Sequence, residues 1–291
     1  MNLGNLNRVD KEDLLGAVRG VEERGGVLFT VCGSDERPLG RGFGLYYVFS
    51  FVQGGGFETV ATELRDNDPV FPSVTTVCEA AHWDEREIKD LLGLVPLGHP
   101  DPRPLVLPDD WPEGLFPLRR DFPADRRPPA APLREYPFTP VGGEGVFQVP
   151  VGPVHAGIIE SGHFRFHVVG ERIISLEARL FYNHRGVEKL AEGRSVEEAM
   201  PLVERICGSC SVSHAVAYAQ GVESLAGLEV PPRAASLRTV FLELERLYNH
   251  INDVGAICAG TGLSFGAMGG ARLKEKVLPR PGSLTSQILP P

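Results

Sequence analysis

A proline-rich segment in the middle of the chain limits the possible folds more than any other feature. Six prolines fall between residues 123 and 140, and others punctuate the stretch from residue 96 to residue 117. Proline lacks a backbone N–H and biases the preceding residue away from helical geometry, so neither a helix nor a central strand can continue through such a segment. We predict an ordered wrapping loop over 97–123 and an extended linker over 124–140, with one domain on each side.

The predicted domains cover residues 1–123 and 141–276, and the proline-containing residues 277–291 are predicted to form an unrelated tail. A length of 291 residues is sufficient for two domains that each bury a core. A net charge of −9 argues against a nucleic-acid binder, because such proteins present a basic surface to phosphates. We therefore expect no nucleic-acid partner.

Cysteine usage and the N-terminus point to a reducing, cytoplasmic setting. Five cysteines scattered over a long chain do not form a disulfide framework of the kind that small secreted proteins use. The first residues lack the basic and then apolar pattern of a signal peptide. The longest uncharged run, Val254 to Ala271, is too rich in glycine for a good membrane span. We expect membrane contact only through partner proteins.

Hydrophobic periodicity predicts an α+β fold. The first domain is predicted to be α/β, with Cys32 and Cys78 as core residues and His82 and His99 in structural roles. Its predicted elements are helices over 9–24 and 81–93 and strands over 27–32, 43–52, 57–64 and 73–78.

The second half is predicted to be mainly helical, with a small β element formed by strands over 164–169 and 172–180. Ser195 and Glu198 have the spacing of a capping box at a helix start. After Pro231-Pro232 we predict a long helix whose apolar stripe forms core. The stripe comprises Leu237, Val240, Phe241, Leu244, Leu247, Tyr248, Ile251 and Val254.

The motif Cys207-Gly-Ser-Cys210, with His214 four residues further on, is a candidate metal site. A tight turn can bring two thiols three residues apart to the same side, and the histidine adds a third ligand. Two alternatives remain open from these residues alone. The cysteines could be small buried core residues, or the three side chains could form a simple zinc site.

The stretch from Glu85 to Pro123 resembles the 30-kDa-type subunit of respiratory complex I. It carries an acidic helix that ends in glycine, then Gly98-His99-Pro100, Pro108-Asp-Asp-Trp111 and Pro117-Leu-Arg-Arg-Asp-Phe-Pro123. This resemblance implies that the first domain is a docking module without chemistry of its own.

Five ordered motifs in the second half resemble the large subunit of [NiFe] hydrogenases. They are Gly152-Pro-Val-His155, Glu160-Ser-Gly-His-Phe164, Phe181 to Leu190 with its Arg-Gly-Val-Glu, Arg205 to Cys210, and His214. The fused order resembles the membrane-associated group 4 enzymes of the formate-hydrogenlyase large-subunit type. In that family a nickel–iron pair is held by four thiolates, with carbon monoxide and cyanide on iron.

The resemblance assigns roles to individual residues. Cys207 would be a terminal nickel ligand, and Cys210 would bridge nickel and iron, as suits soft metals. His214 would lie behind the two metal ligands and donate a hydrogen bond to a cysteine sulfur. Glu188 matches a glutamate that binds magnesium, the alternative being a solvated carboxylate at a helix start.

Glu160 matches a proton-relay carboxylate, with Ser161 as the alternative position. The implied reaction is reversible interconversion of dihydrogen with protons and electrons. Because no cysteine set has ferredoxin-like spacing, the iron–sulfur clusters would belong to a small partner subunit. Complex I-like membrane subunits would hold the protein on the inner face of the membrane.

The family's second Cys-x-x-Cys does not occur in these 291 residues, where Cys258 stands alone. We therefore expect a truncated chain that is inactive by itself. Two further hypotheses stay open beside the hydrogenase. One is a subunit of an NADH–quinone oxidoreductase with a quinone pocket in place of the metals, and the other is a scaffold that retains only the docking surfaces.

Overall fold

The computed structural model describes residues 5–52, 54–125, 127–156 and 159–277. The predicted tail therefore lies outside the described residues except for Val277. Arg126 of the predicted linker and the side chain of His155 also lie outside them. The chain divides into two compact units, Asn2–Lys189 and Leu190–Pro291, here called the sheet unit and the helical unit.

A four-stranded sheet covered by two helices forms the first part of the sheet unit. Its strand order is β1-β4-β3-β2, with β1 parallel to β4 and the other pairs antiparallel. The elements are β1 (Asn5–Arg8), α1 (Leu14–Glu23), β2 (Gly26–Asp35), β3 (Phe43–Phe51) and β4 (Phe57–Leu64). The helix predicted over 9–24 begins later, at Leu14. The strands predicted over 27–32, 43–52 and 57–64 are confirmed as β2, β3 and β4.

The core of this part follows directly from the period of two along β3. Phe43, Leu45, Tyr47 and Phe49 are all fully buried, because alternate side chains of a strand face the same side of the sheet. Leu14, Val18 and Val21 from α1 cover that face, together with Ile88 and Leu92 from the second helix. The predicted helix of residues 81–93 is α2 (His82–Leu92), and it ends at Gly93 in the left-handed conformation.

The predicted strand over 73–78 is wrong. The structure has a short strand β5 (Val70–Pro72), which pairs in parallel with β6 (Val95–Leu97), and then 3₁₀ turns at Val74–Thr76 and Glu79–Ala81. The reason is Glu85, whose carboxylate accepts the backbone N–H of Val74 at 2.7 Å. A side chain therefore satisfies backbone groups that a neighbouring strand would otherwise pair.

The proline-rich segment is ordered by side chains of α2. The Asp90 carboxylate accepts the backbone N–H groups of Leu105 at 2.7 Å and Val106 at 2.9 Å. Arg86 donates to the carbonyl groups of Arg103 and Pro104. In residues 98–125 and 127–145 the structure contains neither helix nor strand, as the prolines predict.

A three-stranded antiparallel sheet completes the sheet unit, in the order β7-β8-β9. Its strands are β7 (Val146–Ala156), β8 (Ile159–Val169) and β9 (Arg172–Arg179), and α3 (Val187–Ala191) follows. The predicted hairpin around Gly170 is confirmed, whereas β7 was not predicted because Pro150, Gly152 and Pro153 interrupt its pattern.

Two ion pairs and a hydrogen bond from Thr139 join this second sheet to the proline-rich segment. Arg103 donates to Glu177 at 2.8 Å, Arg179 donates to Asp109 at 2.7 Å, and the Thr139 hydroxyl donates to Glu177 at 2.8 Å. These contacts explain why the compact units divide after Lys189 and not inside the proline-rich segment. The functional boundaries drawn from the sequence stay predictions.

The helical unit contains α4 (Val196–Val203), α5 (Ser211–Ala226), α6 (Pro232–Gly260) and α7 (Ser264–Val277). The capping box at α4 is confirmed, with the Glu198 N–H donating to Ser195 Oγ at 3.2 Å and the Ser195 N–H donating to the Glu198 carboxylate at 2.9 Å. Helix α7 was not predicted. It packs closely against α6, since a Cβ on Gly270 would lie 2.8 Å from the Cα of Gly255.

The prediction that the apolar stripe of α6 is core is wrong within the described residues. Val240, Leu247 and Val254 are exposed, and the buried residues of the helix are Arg238, Glu245 and Gly255. Helix α6 therefore uses its polar side to contact α5, as described below. Among the helices described, none combines the length and apolar character needed to cross a membrane. The α+β fold class is confirmed.

Candidate metal centre

The cysteine loop lies between α4 and α5 of the helical unit, and both of its thiols are half-buried. Cys207 Sγ accepts the backbone N–H of Ser209 at 3.4 Å. Burial raises the pKa of Cys207, but hydrogen bonds from the Cys210 thiol and from backbone N–H groups outweigh it and lower that pKa below its usual value. Burial, the hydrogen bond to Cys207 and the nearby negative charges raise the pKa of Cys210 to about 12.

Each thiol shifts the pKa of the other, so the two sulfurs lie near each other in the loop. Because the pKa of Cys207 is lowered and the pKa of Cys210 is raised, the Cys207 thiol loses its proton first. Such a pair is a chelating donor set of the soft type that binds nickel, iron or zinc.

Glu245 of α6 caps the start of α5 directly after Cys210. Only 2% of the side chain is exposed. Its carboxylate accepts the backbone N–H groups of Val212 at 2.6 Å and Ser213 at 3.0 Å, and it also accepts the Ser213 hydroxyl. These N–H groups belong to the first turn of a helix, where no helical carbonyl is available to them. The carboxylate therefore fixes the position at which the cysteine loop turns into α5.

Two further side chains of α6 hold the loop at its middle residue. The Tyr248 hydroxyl donates to the carbonyl oxygen of Ser209 at 2.9 Å, and Asn249 Nδ2 donates to the same oxygen at 2.7 Å. Burial and the charges of Glu245 and the cysteines raise the pKa of Tyr248, which keeps its hydroxyl protonated as a donor. Side chains of α6 thus hold the cysteine loop both at Ser209 and at the start of α5.

A buried ion pair holds α5 and α6 together. Arg238 donates to both carboxylate oxygens of Glu223, at 2.8 and 2.5 Å, and both residues are buried. Hydrogen bonding to Arg238 lowers the pKa of Glu223. A two-bond contact of this kind fixes orientation as well as distance, so it sets the helix that carries the cysteine loop against the helix that supports it.

His214 lies one turn after Cys210 in α5 and is half-buried. Its backbone N–H donates to the Cys210 carbonyl at 3.2 Å, which closes the first turn of α5. In the ranges that the structure describes, no three His, Cys, Asp or Glu side chains are grouped to hold a metal ion. The role of His214 toward a cysteine sulfur stays a prediction.

The other predicted site residues belong to the sheet unit. Glu160 is exposed in β8 and forms an ion pair with Arg185 at 3.5 Å. Glu188 is exposed at the start of α3. Burial of Glu87 raises the pKa of Glu87 to about 7, and the negative charge of Glu188 adds to this increase. Their roles in proton relay and magnesium binding stay predictions.

The histidines and isolated cysteines of the first domain have contacts that describe their packing. Both ring nitrogens of His99 are hydrogen bonded to backbone, one to the His82 carbonyl at 3.0 Å and the other to the Asp101 N–H at 3.0 Å. Cys78 is buried, as predicted. Cys32 is exposed, so its prediction as a core residue is wrong. It lies on the outer face of β2, because alternate strand residues face opposite sides.

Sequence reasoning missed Glu245, Tyr248 and Asn249 as supports of the cysteine loop. Tyr248 was included in the apolar stripe, and Glu245 was placed off it. One signal was available: Arg238 and Glu245 are seven residues apart, which is two helical turns, so they share one side of α6. Two such charges beside an apolar stripe indicate a polar packing surface.

Two protein families match this chain in sequence order. Residues 7–128 match the respiratory-chain NADH dehydrogenase 30 Kd subunit. Residues 185–253 match the nickel-dependent hydrogenases, and this stretch contains the cysteine loop with its supports on α6. The second family is one whose members contain a nickel–iron centre.

Three curated relatives align with most of the chain. Formate hydrogenlyase subunit 5 of Escherichia coli (strain K12) is 44% identical over 258 residues, which are 87% of this chain and 45% of the relative. Hydrogenase-4 component G of the same organism is 45% identical over 255 residues, covering 86% of this chain and 46% of the relative.

The third relative is the C/D subunit of the NADH-quinone oxidoreductase of Bacteroides thetaiotaomicron. It is 30% identical over 259 residues, covering 82% of this chain and 48% of the relative. The chain thus spans about half the length of each of these relatives. All three names describe oxidoreductase subunits. The chain belongs to the fused family in which a domain of the NADH dehydrogenase 30 Kd subunit type precedes a domain of the nickel-dependent hydrogenase type.

Proposed function

We propose that this chain carries the first part of the large subunit of a membrane-associated, complex I-like hydrogenase. The observation that supports this most strongly is the cysteine pair. Two neighbouring thiols lie at the start of α5, and three side chains of α6 hold their loop in place. A loop that is fixed from outside can present two sulfurs to a metal without rearrangement.

The residues present fit half of a nickel–iron site. Cys207 would hold nickel, Cys210 would hold nickel and iron, and thiolates are the ligands that such soft metals prefer. The other two thiolates are not supplied by this stretch of sequence. When bound, the centre supplies the reversible cleavage of dihydrogen into protons and electrons, with carbon monoxide and cyanide as the remaining ligands of iron.

The protein residues around the pair would position sulfur and move protons. Glu245, Tyr248 and Asn249 hold the loop, and His214 would donate a hydrogen bond to a cysteine sulfur. Glu160 would pass protons, and Glu188 would bind a structural magnesium ion.

Partners complete the proposed assembly. Electrons would leave through iron–sulfur clusters of a small subunit, because the five cysteines of this chain lack ferredoxin-like spacing. Membrane subunits related to those of complex I would bind the protein at the cytoplasmic face of the membrane. The match to the 30 Kd subunit family in residues 7–128 supports this docking role.

A second candidate is a quinone-reactive subunit, favoured by the similarity to the C/D subunit of an NADH-quinone oxidoreductase. The cysteine pair argues against it, because a quinone pocket needs no thiolates. The higher identity to the two hydrogenase-named relatives also favours the first candidate. The third candidate function is that of a scaffold protein that binds no metal.

Metal analysis of the protein tests the proposal, using the complete reading frame that contains this chain, produced with its partner subunits. We expect stoichiometric nickel and iron in the purified complex. Both metals should be lost in Cys207→Ala and Cys210→Ala and retained in Cys258→Ala, which removes another half-buried thiol from the same unit. Zinc in place of nickel and iron would indicate the simple zinc site. A metal-free wild-type complex would support the quinone or scaffold hypothesis and overturn ours.

A further inference from the structure

A pocket on the three-stranded sheet contains polar side chains that the proposed hydrogenase function does not use. Its volume is about 290 Å³, close to the lower end of the range for small-molecule sites. Arg165 and His167 of β8 line it, together with Gln148 of β7 and residues 138–141 of the proline-rich segment. All of these residues belong to the sheet unit.

Two nitrogen atoms in this lining are buried and have no hydrogen-bond partner in the part of the chain that the structure describes. They are Nδ1 of His167 and Nε of Arg165. His167 is only 4% exposed, so bulk water does not solvate its ring. Buried polar atoms without partners are rare and unfavourable in folded proteins, which indicates that a molecule outside the described chain, either water or a ligand, satisfies them.

The register of the sheet places the two side chains together. Arg165 and His167 are two residues apart on the middle strand, so they face the same side and lie about 6 to 7 Å apart along it. Gln148 is directly opposite His167 on β7 and therefore faces that side as well. Three groups able to donate hydrogen bonds thus surround one small volume.

The positive charge of Arg165 is not neutralised within the described residues, where it forms no ion pair. Glu177 lies opposite it on β9, but the carboxylate of Glu177 is already bound to Arg103 and Thr139. The Arg165 guanidinium lies over the Phe138 ring at 3.6 Å from the centroid, which holds it in one orientation. The described lining of the pocket includes no Asp or Glu.

We propose that this pocket binds a small oxyanion, of the carboxylate or phosphate type, through Arg165 and His167. A guanidinium and an imidazole N–H are both donors, and oxygen anions accept from several donors at once. A cation is disfavoured because the lining offers a positive charge and no carboxylate. The orientation of Arg165 exists before binding, so little side-chain entropy is lost when an anion enters.

Isothermal titration calorimetry of the full chain tests this proposal with inorganic phosphate and with acetate, against chloride at equal ionic strength. We expect saturable binding of at least one of the two oxyanions and none of chloride. Arg165→Gln and His167→Phe should each weaken binding at least about tenfold, as expected for the loss of a hydrogen bond to a charged group. Arg172→Gln, which removes an exposed positive charge from the same sheet, should change the affinity less than about twofold.

Tryptophan fluorescence of each variant shows whether the sheet unit remains folded, since Trp83 and Trp111 both belong to it. If His167→Phe does not fold, Arg165→Gln decides the question. The proposal is overturned if neither oxyanion binds to the wild-type chain, or if a folded Arg165→Gln variant binds as tightly as wild type. These outcomes are independent of metal content, so they leave the hydrogenase proposal unaffected.

Discussion

Glu85 in the sheet unit and Glu245 in the helical unit are buried carboxylates that accept hydrogen bonds from backbone N–H groups. Glu85 accepts from Val74 and Thr75, and also from the Ser73 and Thr75 hydroxyls at 2.6 and 2.8 Å. Glu245 accepts from Val212 and Ser213. In each case a helix residue shapes a segment that is distant from it in sequence.

Their surroundings differ. Glu85 is fully buried and lies beside Tyr47, whose hydroxyl donates to it at 3.1 Å inside the apolar core of α1, α2 and the first sheet. In the helical unit the buried apolar cluster is small, consisting of Met200, Ala215 and Ala219. The carboxylate therefore completes a core in the sheet unit. In the helical unit, polar contacts from Glu245 and Arg238 provide much of the contact between α5 and α6.

The largest effect is expected for Glu85→Gln. An amide presents a donor where the carboxylate has only acceptors, so buried N–H and hydroxyl groups lose their partner. We expect the free energy of unfolding of the sheet unit to fall by about 3–5 kcal/mol. Denaturant titration followed by tryptophan fluorescence measures this unit specifically. Glu23→Gln, the same change at an exposed position of α1, should alter it by less than about 0.5 kcal/mol.

Glu245→Gln should have a smaller effect on stability but a direct effect on the cysteine loop. We expect a loss of about 2–3 kcal/mol in the helical unit, and faster modification of Cys207 and Cys210 by a thiol reagent because the loop is released. Circular dichroism at 222 nm and the modification rate measure the two effects. Glu243→Gln, at an exposed position on the same helix, serves as the control. Equal thiol reactivity in both variants would show that Glu245 does not hold the loop.

Asp35 tests whether a carboxylate paired with a cation behaves differently from these two. Burial raises its pKa, but hydrogen bonds from Arg37 and the Arg120 N–H outweigh this and lower the pKa to about 2. A lowered pKa stabilises the fold above the unfolded-state pKa of about 4 and ceases to do so as the pH falls through about 2. Asp35→Asn should therefore cost about 1–2 kcal/mol at pH 7, and the difference from wild type should disappear near pH 2. A pH-independent difference would contradict this linkage.

The smallest effect is expected at the capping box of α4. Ser195→Ala removes the hydroxyl that accepts the Glu198 N–H, and a loss of about 1 kcal/mol in the helical unit follows. Thermal unfolding followed at 222 nm measures it. Ser236→Ala removes an exposed hydroxyl inside α6 and should be neutral or slightly stabilising. If both variants lose the same amount, the cap contributes nothing.

Much of the secondary structure could be predicted because its signals are local. The alternation along β3 and β4, the glycine after α2 and the capping box at Ser195 each depend on a few neighbouring residues. The hypothesis of a metal site at Cys207 and Cys210 also depends on a local signal, the cysteine spacing, and it stays a prediction. The supports of the cysteine loop were not predicted, because Glu245 and Ser213 are 32 residues apart and no local pattern relates them.

By itself, the sequence determined the α+β class, the order of the two family domains and the cysteine pair that is the candidate metal site. Only the tertiary structure decided which side of α6 is buried, where residues 73–78 turn away from the sheet, and which side chains fix the cysteine loop. Periodicity shows that a helix has an apolar side, but burial depends on what packs against it. Backbone N–H groups likewise donate to whichever acceptor the fold brings near, and in both units that acceptor is a buried glutamate.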